Sequence, residues 1–299
     1  MGQEEIKAFL IHLGMNINTA AQARDPLACD AREWTFITNR MSERGLNMAV
    51  IDLCEGVRYE SHPEIAVRGA WSVGRLRGEL ARLRSLGIEP IPKLNFSATH
   101  DQWLGEWGRM LSTPDYYRVC EDLIAEVCEI FDGPRLFHLG YDEEDVRCQS
   151  AHEHVVLRQG ELWWRDFLWF VKVVEKRGAR PWIWSDWIWE HHDEFLRRMP
   201  KSVLQSNWYY DEGFDERAFR WPRIKCYLDL DKAGFDQVPT GSNYVTPGNM
   251  EGTVEFARAQ LAPERLKGFL TTSWKRCLRE EREANLAAVD QLAAALRGH

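Results

Sequence analysis

From end to end the chain alternates short apolar, strand-like runs with segments whose apolar residues recur at helical spacing, and nothing else in it constrains the fold as strongly. Strands are expected at residues 8–14 (AFLIHLG), 46–53 (LNMAVIDL), 88–95 (IEPIPKLN), 134–140 (PRLFHLG), 180–186 (RPWIWSD), 202–208 (SVLQSNW), 224–230 (IKCYLDL) and 266–274 (LKGFLTTSW). Between them, VGRLRGELARLRSLG has apolar residues three and four apart and closes on Gly87, and PDYYRVCEDLIAEVCEIFDG opens on Pro114 and closes on Gly133. ELWWRDFLWFVKVVEKRG and EANLAAVDQLAAALRG follow the same logic. Eight strand–helix units over 299 residues predict an α/β fold, a single (β/α)8 TIM barrel spanning residues 1–299 as one domain. A doubly wound open sheet would need a glycine-rich phosphate turn after its first strand, and HLGMNIN supplies only one glycine.

The active face of such a barrel is built from the residues that end its strands. Read in order, these are Asn16 and Asn18, Asp52 and Glu55, Asn95 and His100, Asp142, Glu143 and Glu144, Trp184 and Asp186, Asn207 and Trp208, Tyr227 and Asp229, and Trp274 and Lys275. The stretch FHLGYDEED, residues 137–145, delivers four consecutive acids to one rim. Taken alone it reads equally as a solvated loop with acids at a helix start. Together with the other strand ends it gives a ring of acids, amides and tryptophans, drawn from a chain that holds 14 tryptophans. Carboxylates beside stacking aromatics suit glycosidic-bond chemistry: a proton donor, stabilisation of an oxocarbenium-like state and a flat apolar surface for the sugar ring. The expected partner is therefore a carbohydrate.

Other classes find little support. A net charge of −8 and a pI near 5.7 give no footprint for nucleic acid. No run approaches the roughly 20 apolar residues that cross a bilayer. MGQEEIKAFLIHLGMNIN lacks the form of a signal peptide, so a cytoplasmic protein is expected. Seven cysteines without paired spacing argue against a disulfide framework and fit a reducing compartment. No nucleophile–histidine arrangement and no close histidine pair falls on a strand end, so neither a cofactor nor a metal is expected.

FHLGYDEE resembles the H-x-G-x-D-E signature of glycoside hydrolase family 20, the β-N-acetylhexosaminidases, at the end of the fourth barrel strand. HPEIAVRGAWSVGRLRGELARLRSLGIEPIPKLNF looks like that family's passage from the second to the third strand, RGARPWIWSD like its fifth strand, YLDLD like its seventh and GFLTTSW like its eighth. The resemblance implies a substrate-assisted mechanism in which the 2-acetamido oxygen of the sugar attacks the anomeric carbon. It implies that Asp142 orients the acetamido group and stays ionised, and that Glu143 is the general acid/base and needs a raised pKa. Trp184, Trp208 and Trp274 would box the acetamido methyl, Tyr227 would hydrogen-bond the acetamido oxygen, and Asp229 would contact outer hydroxyls. His138, Glu55 and His100 complete the implied substrate-binding set. Trp182, Trp187 and Trp189 are expected to pack, and Trp163, Trp164 and Trp169 to join helix to barrel.

The sequence also departs from the family. The arginine that normally ends the first strand is missing, the nearest being Arg24. Asp52 and Glu55 stand where a His-x-x-Asp pattern is usual, Asn95 replaces an acid, and His100 falls one residue out of step. Lys275 and Arg276 follow Trp274 where a glutamate is usual, and a cation there would suit a sulfate, phosphate or uronate. Three alternatives remain open at this level: a non-catalytic carbohydrate-binding barrel; a two-carboxylate glycosidase with Glu55 or Asp186 as second acid; and a metal-dependent hydrolase using Asp142, Glu144, Asp145 and His152 to His154.

Overall fold

A computed structural model describes residues 4–14, 26–218 and 220–298. Asn16, Asn18 and Arg24 lie outside them. Eight parallel strands form one sheet: β1 (Ile6–His12), β2 (Met48–Asp52), β3 (Glu89–Lys93), β4 (Leu136–His138), β5 (Arg180–Trp184), β6 (Leu204–Ser206), β7 (Thr240–Ser242) and β8 (Gly268–Thr272). From β1 to β6 each strand pairs with the next, β7 pairs with β8, and β1 also pairs with β8. The last seam, between β6 and β7, is closed by the bridges Gln205↔Gln237 and Trp208↔Thr240, so the sheet is a barrel. Around it run α1 (Ala31–Glu43), α2 (Val73–Ser85), α3 (Pro114–Ile130), α4 (Glu161–Lys176), α5 (His192–Arg198), α6 (Trp221–Lys232), α7 (Asn249–Gln260) and α8 (Arg282–Arg297). No described helix is long and apolar enough to cross a membrane.

Strand alternation divides the core in two. Ala8, Leu10, Met48, Val50, Ile91, Leu136, Trp182 and Leu204 fill the barrel, while Phe9, Ile11, Ala49 and Ile51 on the opposite parity pack against the helices. The same parity sets the topmost inward layer. His12 is in register with Asp52, Asp52 with Lys93, Lys93 with His138, and His138 with Trp182. Polar residues that end separate strands therefore meet at one level, directly beneath the loops.

One expected strand is wrong. Residues 224–230 lie within α6, which has Pro222 in its first turn and Gly234 just past its end. Ile224, Tyr227 and Leu230 are its buried face, at helical spacing. The seventh strand falls instead at Thr240–Ser242, in a stretch, VPTGSN, whose proline and glycine give little strand signal.

Candidate active site

The turn after β4 explains the composition of FHLGYDEED. Gly140 has φ 72°, and a Cβ there would lie 1.9 Å from Asn95 Oδ1. Asn95, just beyond β3, accepts from the Ser97 and Tyr141 backbone N–H groups at 3.0 and 3.2 Å and donates through Nδ2 to Asp142 Oδ1 at 2.8 Å. The glycine is thus required by the amide that holds Asp142. Tyr141, Glu143 and Trp274 also take left-handed backbone, with φ 71°, 57° and 52°, the kind of local strain that tertiary contacts maintain at functional sites.

The four acids have different fates. Asp142 and Glu143 face a cavity of about 890 Å³ at the C-terminal rim. Glu144 turns against Arg158: both are buried, the guanidinium donates to both carboxylate oxygens, and the Ala98 N–H adds a bond at 2.8 Å. Asp145 accepts from the Cys148 N–H at 2.7 Å and pairs with exposed Arg147 at 3.4 Å.

His100 Nε2 lies 3.4 Å from Asp142 Oδ2 and 3.3 Å from Glu143 Oε2. Burial opposes the imidazolium, but the two carboxylates outweigh it and raise His100 to about 9. Burial likewise favours neutral Glu143, yet the His100 hydrogen bond and charge prevail and hold its carboxyl below the ordinary value. This corrects the expectation that the free protein raises Glu143. The raised carboxyl is Asp186, at the end of the fifth strand segment, where burial and then the Asp142 charge push it up to about 7. Asp186 accepts from the Glu143 N–H at 2.8 Å and from Trp208 Nε1 at 3.2 Å. Among the described residues, His100, Asp142 and Glu143 are the one group of three whose ligand atoms, all within 4.8 Å of one another, could converge on a cation.

The cavity walls are aromatic. Trp184 and Trp274 stand with ring centroids 5.9 Å apart, Trp208 stacks on Tyr210 at 5.1 Å, and Trp189 meets Trp208 edge-on at 4.5 Å. All five line the cavity. Trp189 and Trp187, expected only to pack, line it too, although Trp187 also stacks on Trp163 at 4.5 Å. Tyr210 was not anticipated. Its hydroxyl is buried next to the Trp274 indole, and burial outweighs that contact and keeps the phenol protonated. A tyrosine two residues past the expected strand end at residue 208 was the only available sign.

Other sequence-derived residues fall elsewhere. Tyr227 and Asp229 are in α6 and do not line the cavity: Tyr227 is buried in the helix–barrel core, and Asp229 pairs with Lys225 at 2.6 Å and His192 at 2.8 Å. Both assignments are corrected by the helix. His138 is fully buried beneath Trp184, ring centroids 4.6 Å apart, and accepts from the Gly140 N–H at 3.0 Å, so it positions the turn and the indole. Glu55 is buried in a 3-10 turn after β2, outside the cavity lining. Asp52 lies in the inward layer, where burial is outweighed by Lys93 Nζ at 2.6 Å and by His12, and its carboxyl is held well below the usual range. The Arg276 backbone N–H donates to Glu281 at 2.6 Å and its guanidinium at 3.2 and 3.1 Å, so of the two cations expected after Trp274 Arg276 is paired with a carboxylate, while Lys275 Nζ lies 5.7 Å from the Tyr244 ring centroid. His152 and His154 line a separate cavity with Asp101, and Glu144 is bound to Arg158, so the proposed metal set does not assemble.

Fold and site together define a (β/α)8 barrel whose C-terminal rim carries a carboxylate pair in a tryptophan-walled pocket. Solved structures share this fold. The chitobiase of Flavobacterium johnsoniae is 15% identical with a TM-score of 0.69, over 98% of this chain and 50% of that one. A β-N-acetylhexosaminidase from Bacteroides fragilis is 15% identical with a TM-score of 0.67, over 96% and 65%. Dispersin B is 12% identical with a TM-score of 0.64, over 99% of both chains. The chain thus spans half to two-thirds of the first two and all of the third. No family model matches the sequence. No curated protein matches it either.

Proposed function

We propose that the protein is a divergent member of glycoside hydrolase family 20 that removes a terminal 2-acetamido-2-deoxy-β-hexoside with retention. The observation that carries the reading is the Asp142–Glu143 pair at the rim of β4, with Asp142 fixed by Asn95 and faced by Trp184, Trp208 and Trp274. The fold shared with hexosaminidases supports it. Asp142 orients the acetamido N–H and stabilises the positive charge that develops as the acetamido oxygen attacks the anomeric carbon. Glu143 gives a proton to the leaving oxygen and later takes one from water. Tyr210 takes over the hydrogen bond to the acetamido oxygen, because its ring lines the cavity against Trp208 and Trp274 and its hydroxyl is buried there. Sugar binding displaces water from Glu143 and favours its neutral form. His100, 3.3 Å away, is the proton reservoir.

A panel of chromogenic β-glycosides with and without the 2-acetamido group tests the reading. Hydrolysis confined to acetamido sugars is expected. One observation favours a second reading: Asp186, raised to about 7, is the carboxyl already poised to hold a proton. A two-carboxylate glycosidase using it would cleave plain glucosides or galactosides as readily.

A further inference from the structure

Three arginines line the cavity, and they differ in their partners. Arg147 pairs with Asp145 at 3.4 Å and Arg220 with Asp211 at 3.3 Å. Arg223, in the first turn of α6, has no carboxylate within ion-pair distance and no protein acceptor for its guanidinium N–H groups among the described residues. Its guanidinium lies over the Trp189 ring, 3.8 Å from the centroid, and 5.7 Å from that of Trp208. The arrangement is built from beneath. Asn207, buried at the end of β6, accepts from Trp189 Nε1 at 2.9 Å and donates to the Arg223 carbonyl at 2.8 Å, so one amide fixes both the indole and the start of the helix. One face of the guanidinium is covered by the indole and the side chain lines the cavity, so its N–H groups can serve an oxyanion with two parallel hydrogen bonds.

The position of this cation is also informative. Burial and then the nearby Arg220 disfavour its charge, so the site gains when an anion arrives. Of the site carboxyls its field reaches Glu143 and Asp186. Arg147, which acts on it, follows Glu143 in the same loop. Trp208, whose ring centroid is 5.7 Å from the guanidinium, donates to Asp186, and Asp186 in turn accepts from the Glu143 N–H, so the cation and the proposed proton donor share one wall of the cavity.

We infer that Arg223 forms an anion subsite on the leaving-group side, and that the substrate is an acetamido sugar attached to a residue bearing a carboxylate or comparable oxyanion, a uronic acid being the form that fits a disaccharide. The inference rests on the hexosaminidase reading for the scissile bond, while the anion site itself rests on Arg223, Trp189 and Asn207 alone. It places the cation away from Lys275 and Arg276.

Two measurements separate the claims. In the first, kcat/KM is compared for a β-N-acetylglucosaminyl-glucuronic acid disaccharide and its neutral methyl ester. The wild type should favour the acid roughly 10- to 100-fold, the range of a charge-assisted bond. Arg223→Gln should bring the ratio close to one, Arg223→Lys should recover part of it, and added salt should shrink it in the wild type alone. In the second, methyl β-glucuronoside and its methyl ester are titrated against tryptophan fluorescence, which needs no turnover. Tighter binding of the acid in the wild type, lost in Arg223→Gln, is expected. If neither disaccharide is cleaved but this binding difference holds, the hydrolytic reading fails and the anion subsite stands. If both disaccharides are cleaved at a ratio that Arg223→Gln does not change, and both titrants bind alike, the subsite is overturned and the hydrolytic reading stands.

Discussion

If Glu143 is the acid of the proposed hydrolysis, the demands of the free and the occupied site conflict there. The acid must carry a proton when the leaving oxygen needs one, yet in the empty pocket His100 holds that proton and keeps Glu143 ionised. Under that reading, transfer of one proton across 3.3 Å would resolve the conflict once a sugar has displaced water. Hence kcat/KM should fall on the alkaline side near pH 9, where His100 loses its proton, and His100→Gln should move that limb to lower pH. A limb that stays in place in the variant would detach the histidine from proton supply. Glu143→Gln should lose about 10²- to 10⁴-fold in kcat on sugar leaving groups and far less on dinitrophenyl glycosides, which depart without protonation. Steady-state kinetics on both substrate types checks this. The two tyrosines give a sharper contrast. Tyr210→Phe should lower kcat/KM on acetamido substrates by roughly 10-fold, the worth of one hydrogen bond. Tyr227→Phe should leave activity unchanged, since that hydroxyl is buried in the core without a partner.

At the scale of elements, the loop after β4 is held in place by charges taken out of water. Arg158 donates to Glu144, to the Tyr141 hydroxyl at 2.8 Å and to the Phe96 carbonyl at 2.6 Å, and so ties the loops after β3 and β4 to the N-terminal side of α4. A buried pair of this kind contributes more to shape than to net stability, but removing one member strands the other. Arg158→Met should destabilise the protein by about 3–5 kcal/mol, and adding Glu144→Gln should recover part of the loss. Urea midpoints of the single and double variants measure it. Equal stability of the two variants would mean that Glu144 finds another partner or takes up a proton without penalty.

For the molecule as a whole, the same ionic cluster links pH to stability. His100 is raised from 6.5 to about 9 in the fold, so folding favours its protonated form. The stabilisation is fully present below about pH 6.5 and is lost as pH rises through about 9, and it is worth on the order of 3 kcal/mol. The melting temperature should therefore fall between those values, and His100→Gln should flatten the decline. A wild-type profile that is already flat there would mean that the imidazole is neutral in the native state.

What the chain settles by itself is what periodicity and strand parity settle. Alternation over β1 and β2 specifies which side chains enter the barrel, and the ends of the strands specify which loops form the rim. That Asp142, Glu143, Trp184, Trp208 and Trp274 line the rim cavity follows from that reading, because each ends a strand or lies in the loop that leaves one. The tertiary structure decided where local signals were balanced. IKCYLDL alternates well enough for a strand, yet Pro222, Gly234 and burial three residues apart favour a helix once the barrel surface is there to cover Tyr227. VPTGSN becomes a strand only because β6 and β8 offer it backbone partners on both sides. The pairings of His100 with Glu143 and of Arg158 with Glu144, the seat of Arg223 over Trp189 and the placement of Tyr210 against Trp274 arise between segments that are distant in sequence. No periodicity encodes such contacts, since they depend on which side chains the closed barrel brings within a few ångströms of one another.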